Sequence, residues 1–342
     1  MTQKILVTGG TGFIGSHTTV ELIKDGYEVV IVDDLSNSKI EVLDGIQEIT
    51  GVKPQFYQFN ICDERKLMDC LKAEQIDAII HFAASKAVGE SVSNPLLYYR
   101  NNLVSLMNLL DAMRQFGVGH MVFSSSCTVY GQPDQLPVTE DTPFQKAESP
   151  YGHTKQIGED ILRHVATAYP ELNSIALRYF NPVGAHESAL IGELPIGVPN
   201  NLIPYITQTA AGLRDELSIF GDDYDTPDGT AVRDYIHVVD LAKAHAVALD
   251  RLLKGANKEG YEFFNLGTGK GYSVLDVIKT FERVNKVKVN YKIVERRDGD
   301  IEKIYANTDL ANNELGWKAE LGLEDMLKSV WKWQKHMNGK SY

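Results

Sequence analysis

The sequence predicts a doubly wound α/β fold, a parallel sheet covered by helices on both faces, with a second, smaller mixed α/β lobe. Three observations carry that expectation. Short β-branched runs recur at Ile5–Thr8, Val29–Asp33, Ala78–Phe82, Met121–Ser124 and Ile175–Tyr179. Segments of helical period lie between them, such as Thr19-Val20 with Leu22-Ile23, and Leu103 with Leu106-Met107 and Leu109-Leu110. Alternation of that kind over the first ~180 residues reads as βαβ units and a parallel sheet, which helices then cover in layers.

Length and charge set the bounds. With 342 residues, about two domains of ~150 residues are expected. After Asn181 the regular alternation breaks at Pro182, Pro195, Pro199 and Pro204, which places residues 1–181 in the first lobe and 182–342 in the second. Arg233–Leu241 and the helical stretch to Leu253 again read as strand then helix, so the segment near 233–253 is able to rejoin the first lobe. The formal charge of −12 argues against nucleic-acid and membrane-surface binding, both of which call for a basic field. Cys62, Cys70 and Cys127 offer neither a disulfide framework nor a zinc spacing, which suits a reducing cytoplasm. No apolar run approaches the ~18–20 residues of a membrane span, and the chain opens directly on a strand.

The first strand runs into Thr8-Gly9-Gly10-Thr11-Gly12-Phe13-Ile14-Gly15, which satisfies both G-x-G-x-x-G and G-x-x-G-x-x-G. Small residues here admit the backbone of a pyrophosphate, and a helix N-terminus supplies free N–H groups and a positive dipole end. Asp33 ends the second strand. A carboxylate there accepts hydrogen bonds from a ribose 2′-hydroxyl and repels a 2′-phosphate, which selects NAD over NADP. Asp34 strengthens the exclusion.

Tyr151 and Lys155 share a helix face just after Ser149-Pro150. Sixteen tyrosines make about one such spacing expected by chance, so the pair carries weight only through its company. A phenol with pKa ~10 is a poor base at neutral pH. A neighbouring ammonium, with the positive nicotinamide ring, would favour the phenolate and bring the pKa down. Ser124-Ser125-Ser126 supplies a hydroxyl at the end of the Met121-Val122-Phe123 strand, where ligands bind in open α/β sheets.

Glycine loop, strand-end serine and Y-x-x-x-K follow the order of the short-chain dehydrogenase/reductase family. Thr8–His17, His81–Ser91, Ser124–Gly131, Arg178–His186, Gly229–Asp240 and Asn265–Asp276 together resemble the UDP-glucose (UDP-galactose) 4-epimerases of its extended branch. That resemblance implies a Rossmann-type NAD domain joined to a nucleotide-sugar domain, tightly bound NAD, inversion at C4 of a UDP-hexose, and a homodimer paired through helices near Leu96–Phe116 and Tyr151–Tyr169. It also implies the site. Ser126, Tyr151 and Lys155 would be catalytic. NAD contacts would come from Gly9, Gly12, Phe13, Ile14, Gly15, Asp33, Asn37, Ser38, Asn60, Ile61, Phe82, Ala83, Ala84, Lys86, Asn101 and Phe180, together with the catalytic three. The UDP-sugar would meet Lys86, Ser126, Tyr151, Asn181, Asn201, Leu202, Ser218, Phe220, Arg233, Arg297, Asp300 and Ile304, with Arg233 and Arg297 on the pyrophosphate because guanidinium forks suit phosphate oxygens.

Two positions depart from the family. Asn60 stands where an acid is often found near the adenine, and it still accepts and donates hydrogen bonds. Ile304 stands where members restricted to UDP-glucose and UDP-galactose carry Tyr, which leans toward acceptance of N-acetylated sugars. A 4,6-dehydratase would need carboxylates between the strand-end hydroxyl and Val-Tyr-Gly, where Cys127 and Thr128 stand. A UDP-glucuronate 4-epimerase differs only at the C6 pocket, and a non-catalytic NAD-binding sensor would not need the intact Ser, Tyr and Lys. Cys127 reads as a small residue at a crowded strand end, with no base placed to activate it. His237 and the rest of the nine histidines show no metal-ligand spacing.

Overall fold

The computed structural model describes residues 2–297 and 301–339. Six parallel strands, β1 (Lys4–Thr8), β2 (Glu28–Asp33), β3 (Gln55–Gln58), β4 (Ala78–His81), β5 (His120–Ser126) and β6 (Asn173–Tyr179), form one sheet with a seventh, Tyr261–Leu266. Their spatial order is Tyr261–Leu266, β6, β5, β4, β1, β2, β3, which is the doubly wound Rossmann arrangement. Both faces of the central strands are covered, so β1, β2 and β4 are apolar almost throughout. Alternate residues of β1 serve two cores: Ile5 and Val7 pack with Val20, Leu241 and Leu249, while Leu6 packs with Leu67, Leu106 and Leu162 on the other face.

The chain reverses its winding between β1 and β4, and that switch point positions the ligand crevice at the carboxyl ends of the strands. The loops after the two strands touch there. A Cβ on Gly9, whose φ is +72°, would lie 2.8 Å from the Ala83 nitrogen, and Thr8 Oγ1 lies 2.7 Å from His81 Nδ1 at the two strand ends.

The segment expected to read as strand then helix is divided between two layers. Strand Val232–His237 pairs with Asn181–Val183, Gly271–Ser273 and Lys303–Ile304 in a separate four-stranded sheet. The helix that follows, Val238–Leu253, packs against the first helix, Phe13–Lys24, and crosses β4, β5 and β6. Strand Tyr261–Leu266 then pairs with β6 along its whole length, a return to the large sheet that the sequence pattern did not signal. The helix expected around Leu96–Phe116 contains a π-helical segment, Arg100–Val104, between Pro95–Tyr99 and Ser105–Phe116. It carries Asn101 and Asn102 to the loop after β4. Trp317 and Trp333 anchor neighbouring chain by donating to the Asp240 and Glu193 carbonyls, at 3.0 and 2.9 Å. No helix among the described residues is long and apolar enough to cross a membrane.

Candidate active site

The glycine loop is tight because it must be. A Cβ on Gly15 would sit 2.2 Å from the Gly9 carbonyl oxygen and 2.9 Å from the Gly10 Cα. Gly12 forms the N-cap of helix Phe13–Lys24 without a side-chain hydrogen bond. The first N–H groups of a helix have no partner inside it, so Phe13, Ile14 and Gly15 present them toward the crevice, where an anion is favoured. Asp33 is buried and braced against this loop. Its Oδ2 accepts from Thr11 N at 3.2 Å, and its Oδ1 accepts from Leu35 N at 2.9 Å and Ser38 Oγ at 3.1 Å. Ser38 Oγ also meets Thr11 Oγ1 at 2.7 Å, so Ser38 supports the carboxylate, while the neighbouring Asn37 is exposed.

Asn60 donates to Asp34 Oδ2 at 2.7 Å and accepts from Cys62 N at 2.8 Å. Burial alone would raise the Asp34 pKa, but hydrogen bonds from Ser36 and Asn60 outweigh it and the net shift is downward. Ser36 and the Asn60 amide thus hold the Asp34 carboxyl below its ordinary range. Ile61 is buried behind it. After β4, Phe82, Ala83 and Ala84 line the switch point and are half-buried. Ala83 N donates to Thr8 Oγ1 at 3.3 Å, and Asn101 Nδ2 donates to Ser85 Oγ at 3.2 Å. Phe180 follows β6, buried, with its N–H on the Leu266 carbonyl at 3.1 Å.

Ser126 ends β5 and Tyr151 opens helix Pro150–Ala168, whose N-cap Ser149 accepts from Gly152 N at 3.2 Å. Burial pushes the Tyr151 phenol up to about 12, and hydrogen bonding to Ser126 offsets only part of that. Lys155 is 4% exposed. Its Nζ donates to the Ser124 carbonyl at 2.6 Å and lies 5.9 Å from the Tyr151 ring centroid. Burial pushes Lys155 down to about 8, with Glu159 opposing the fall. Within the protein's own groups, then, burial dominates Tyr151, and the lowering expected from Lys155 does not. Cys127 is a protonated thiol, pushed up to about 12 by burial. Neither it nor Thr128 brings a carboxylate to the slots a dehydratase would fill.

In the four-stranded sheet, Asn181 and Arg233 lie on paired strands, and Ile304 is the register partner of Arg233. Arg233 Nη1 donates to the Val232 carbonyl at 2.9 Å. Ile304 is 2% exposed and packs with Val129, Tyr130 and Phe180, with Cys127 against the same cluster. Leu202 begins helix Leu202–Ala210, whose N-cap Asn201 makes no side-chain cap. Asn201 Nδ2 donates to Glu193 Oε1 at 2.8 Å, and Lys86 Nζ lies 3.8 Å from the same oxygen. Glu193, which the sequence reading missed, therefore joins a residue of the loop after β4 to one at the start of the second lobe's helix. A lone Glu in a Gly- and Pro-containing loop gives no signal of that. Strand Leu217–Phe220 carries Ser218 and Phe220, and the Arg297 guanidinium stacks 4.5 Å over the Phe220 ring. Asp300 lies outside the described residues. No group of ligands fit to hold a metal ion occurs among the described residues.

A dinucleotide-binding crevice beside a strand-end serine and a helical Tyr-x-x-x-Lys defines an NAD-dependent enzyme of the short-chain dehydrogenase/reductase type. The family model described as GDP-mannose 4,6 dehydratase matches residues 6–330. The chain is 53% identical over 338 residues, 99% of either sequence, to the UDP-glucose 4-epimerase of Haemophilus influenzae. The crystal structure of UDP-glucose 4-epimerase from Bifidobacterium longum in complex with NAD+ and UDP superposes at a TM-score of 0.95, with 50% identity over 99% of this chain and 100% of that one. The enzyme from Stenotrophomonas maltophila, with bound NAD and formylated UDP-arabinopyranose, gives the same TM-score and identity over 98% and 99%. The chain belongs to the UDP-glucose 4-epimerase family.

Proposed function

We propose that this chain interconverts UDP-galactose and UDP-glucose by oxidation at C4, turnover of the 4-keto sugar and reduction of its other face. The observation that carries the reading is the meeting of Ser126, Tyr151 and Lys155 at the carboxyl edge of the sheet, beside a glycine cradle that a single Cβ would fill. Gly9, Gly12, Phe13, Ile14 and Gly15 would hold the pyrophosphate of NAD, and Asp33 its adenosine ribose. NAD, when bound there, would supply the hydride acceptor and donor and, in its oxidised form, a second positive charge. Tyr151 takes the proton of the 4-hydroxyl and returns it, while Ser126 donates a hydrogen bond to the same oxygen as it becomes a carbonyl. Lys155, with its ammonium on the Ser124 carbonyl, keeps a cation near the phenol; burial opposes ionisation of Tyr151, so cations must provide the drive. Arg233 and Arg297 would neutralise the UDP pyrophosphate, and Asn201 with the open N-terminus of helix Leu202–Ala210 would orient the nucleotide.

Residues 1–181 with Val238–Leu266 would make the NAD-binding unit, and the small sheets the nucleotide-sugar unit. Exposed Val88, Val92, Leu96, Leu97 and Met107 support pairing of two copies through the helices that follow β4. Free Cys62, Cys70 and Cys127 suit a cytoplasmic setting. A second reading is favoured by Ile304: a side chain shorter than Tyr, packed beside Cys127 and Phe180, would leave room for an N-acetyl group. Purified protein given UDP-galactose without added NAD should yield UDP-glucose; no product, with or without added NAD, would refute the assignment.

A further inference from the structure

Helix Pro150–Ala168 carries Tyr151, Lys155 and Glu159 at four-residue spacing, so the three lie along one face. Glu159 is fully buried. Its Oε1 accepts from the Ser125 hydroxyl and from Arg178 Nε at 3.0 Å, and its Oε2 accepts from Arg178 Nη2 at 2.6 Å and the Tyr261 hydroxyl at 2.7 Å. Ser125 and Arg178 are register partners on β5 and β6, and Tyr261 begins the next strand. One carboxylate therefore ties the helix to three strands. Arg178 also donates to the Tyr130 hydroxyl at 3.0 Å and lies over the rings of Phe263 and Phe144 at 4.2 and 4.8 Å.

A buried ion pair is weak evidence of stability, because desolvating two charges offsets most of their attraction. Its placement points to another use. Ser125 sits between Ser124, whose carbonyl receives Lys155, and Ser126, which meets Tyr151. We propose that the Glu159–Arg178 pair is a positioning device for proton transfer, fixing the Ser124–Ser126 strand end against the helix face of Tyr151 and Lys155. This rests on the assignment of Tyr151 as the base.

The electrostatics agree in sign. Burial drives Lys155 toward neutrality and Glu159 opposes it. The other groups bearing on Lys155 are His81 of β4, which burial holds neutral with its pKa down at about 3, and the Tyr151 phenol. Arg178, Tyr261 and the Ser125 hydroxyl bond Glu159; Tyr130 and Glu140 bear on Arg178, and Arg163, one turn along the helix, on Tyr261. Removing the carboxylate charge leaves Lys155 deprotonating at lower pH, and Tyr151 then loses its cationic neighbour on the alkaline side.

The test is kcat and KM for UDP-galactose from about pH 6 to pH 10 in wild type, Glu159→Gln, Glu159→Asp, Ser125→Ala and Tyr151→Phe, with circular dichroism to confirm folding. Glu159→Gln should shift the alkaline limb of kcat down by about one pH unit, and turnover above that limb should fall roughly tenfold. KM should change little, and Glu159→Asp should restore the position of the limb. A folded Glu159→Gln protein with an unshifted profile overturns the proposal. If that variant does not fold, Ser125→Ala decides: a severalfold loss in kcat at constant KM supports it, and wild-type kcat overturns it. Near-normal turnover in Tyr151→Phe would instead remove the assignment on which the proposal rests, whatever Glu159→Gln does.

Discussion

The ammonium of Lys155 donates to the carbonyl oxygen of Ser124 at 2.6 Å, two residues before Ser126, whose hydroxyl bears on the Tyr151 phenol. Strand end and helix are thereby tied together. With that anchor a Tyr151→Phe protein should retain its fold and its NAD, because the ring still packs, yet lose about 10²–10⁴-fold in kcat through loss of proton transfer. Steady-state rates with the cofactor content measured in parallel decide this, and rates near wild type would remove Tyr151 as the base.

Asp33 should govern the choice of cofactor. Asp33→Asn removes the charge and leaves one oxygen to accept, either from Thr11 or from Leu35 and Ser38, so the ratio of NADP to NAD dissociation constants should fall by at least about tenfold, the equivalent of ~1.4 kcal/mol. Fluorescence titration of cofactor-stripped protein measures it. An unchanged ratio would argue against the ribose role.

Gly15→Ala places a methyl 2.2 Å from the Gly9 carbonyl, a contact with backbone that no rotamer relieves. Overpacking of this kind costs about 1–3 kcal/mol, and because the strain falls on the cofactor cradle, NAD retention should drop with stability. Urea unfolding and cofactor content after gel filtration report the two effects. Full NAD retention would place the pyrophosphate elsewhere.

Acid should destabilise the fold before the carboxylates titrate. Burial pushes His17 and His81 down to about 3, and His237 and His245 down to about 4, whereas an unfolded histidine titrates near ~6.5. Between those values the unfolded chain binds more protons, so stability falls as pH drops below ~6.5. Urea midpoints from about pH 7 to pH 4.5 should decline, less steeply in His245→Gln. Flat midpoints across that window would contradict the burial of neutral histidines.

Ile304→Tyr should reduce turnover of UDP-N-acetylglucosamine more than that of UDP-galactose, provided the parent accepts the acetylated sugar. Undetectable turnover of that substrate by the parent would end the second reading.

The residues that a ligand demands are the ones the sequence displays. Gly9, Gly12 and Gly15 are unreadable singly, but strand, loop, helix and Asp33 in order leave few alternatives, since each answers one part of a dinucleotide. Strand Tyr261–Leu266 was not legible because its partner, β6, lies more than 80 residues earlier in the chain, and local pattern does not report such pairing. The π-helical turn at Arg100–Val104 is hidden for the same reason: its Asn102 Oδ1 accepts from Ser85 N at 2.8 Å, a contact with a loop earlier in the chain. Glu159 was overlooked because a helical glutamate ordinarily faces water. The signal that could have found it is its place four residues beyond Lys155. The effect of burial on Tyr151 follows from packing around the phenol and has no local signature.

Oxidation and reduction of C4 within one site is decided by UDP-galactose deuterated at C4, given to the protein with no added NAD. The UDP-glucose formed should keep the deuterium at C4, because the hydride leaves and returns without meeting solvent. Product carrying protium at C4, with the label lost to water, would contradict it.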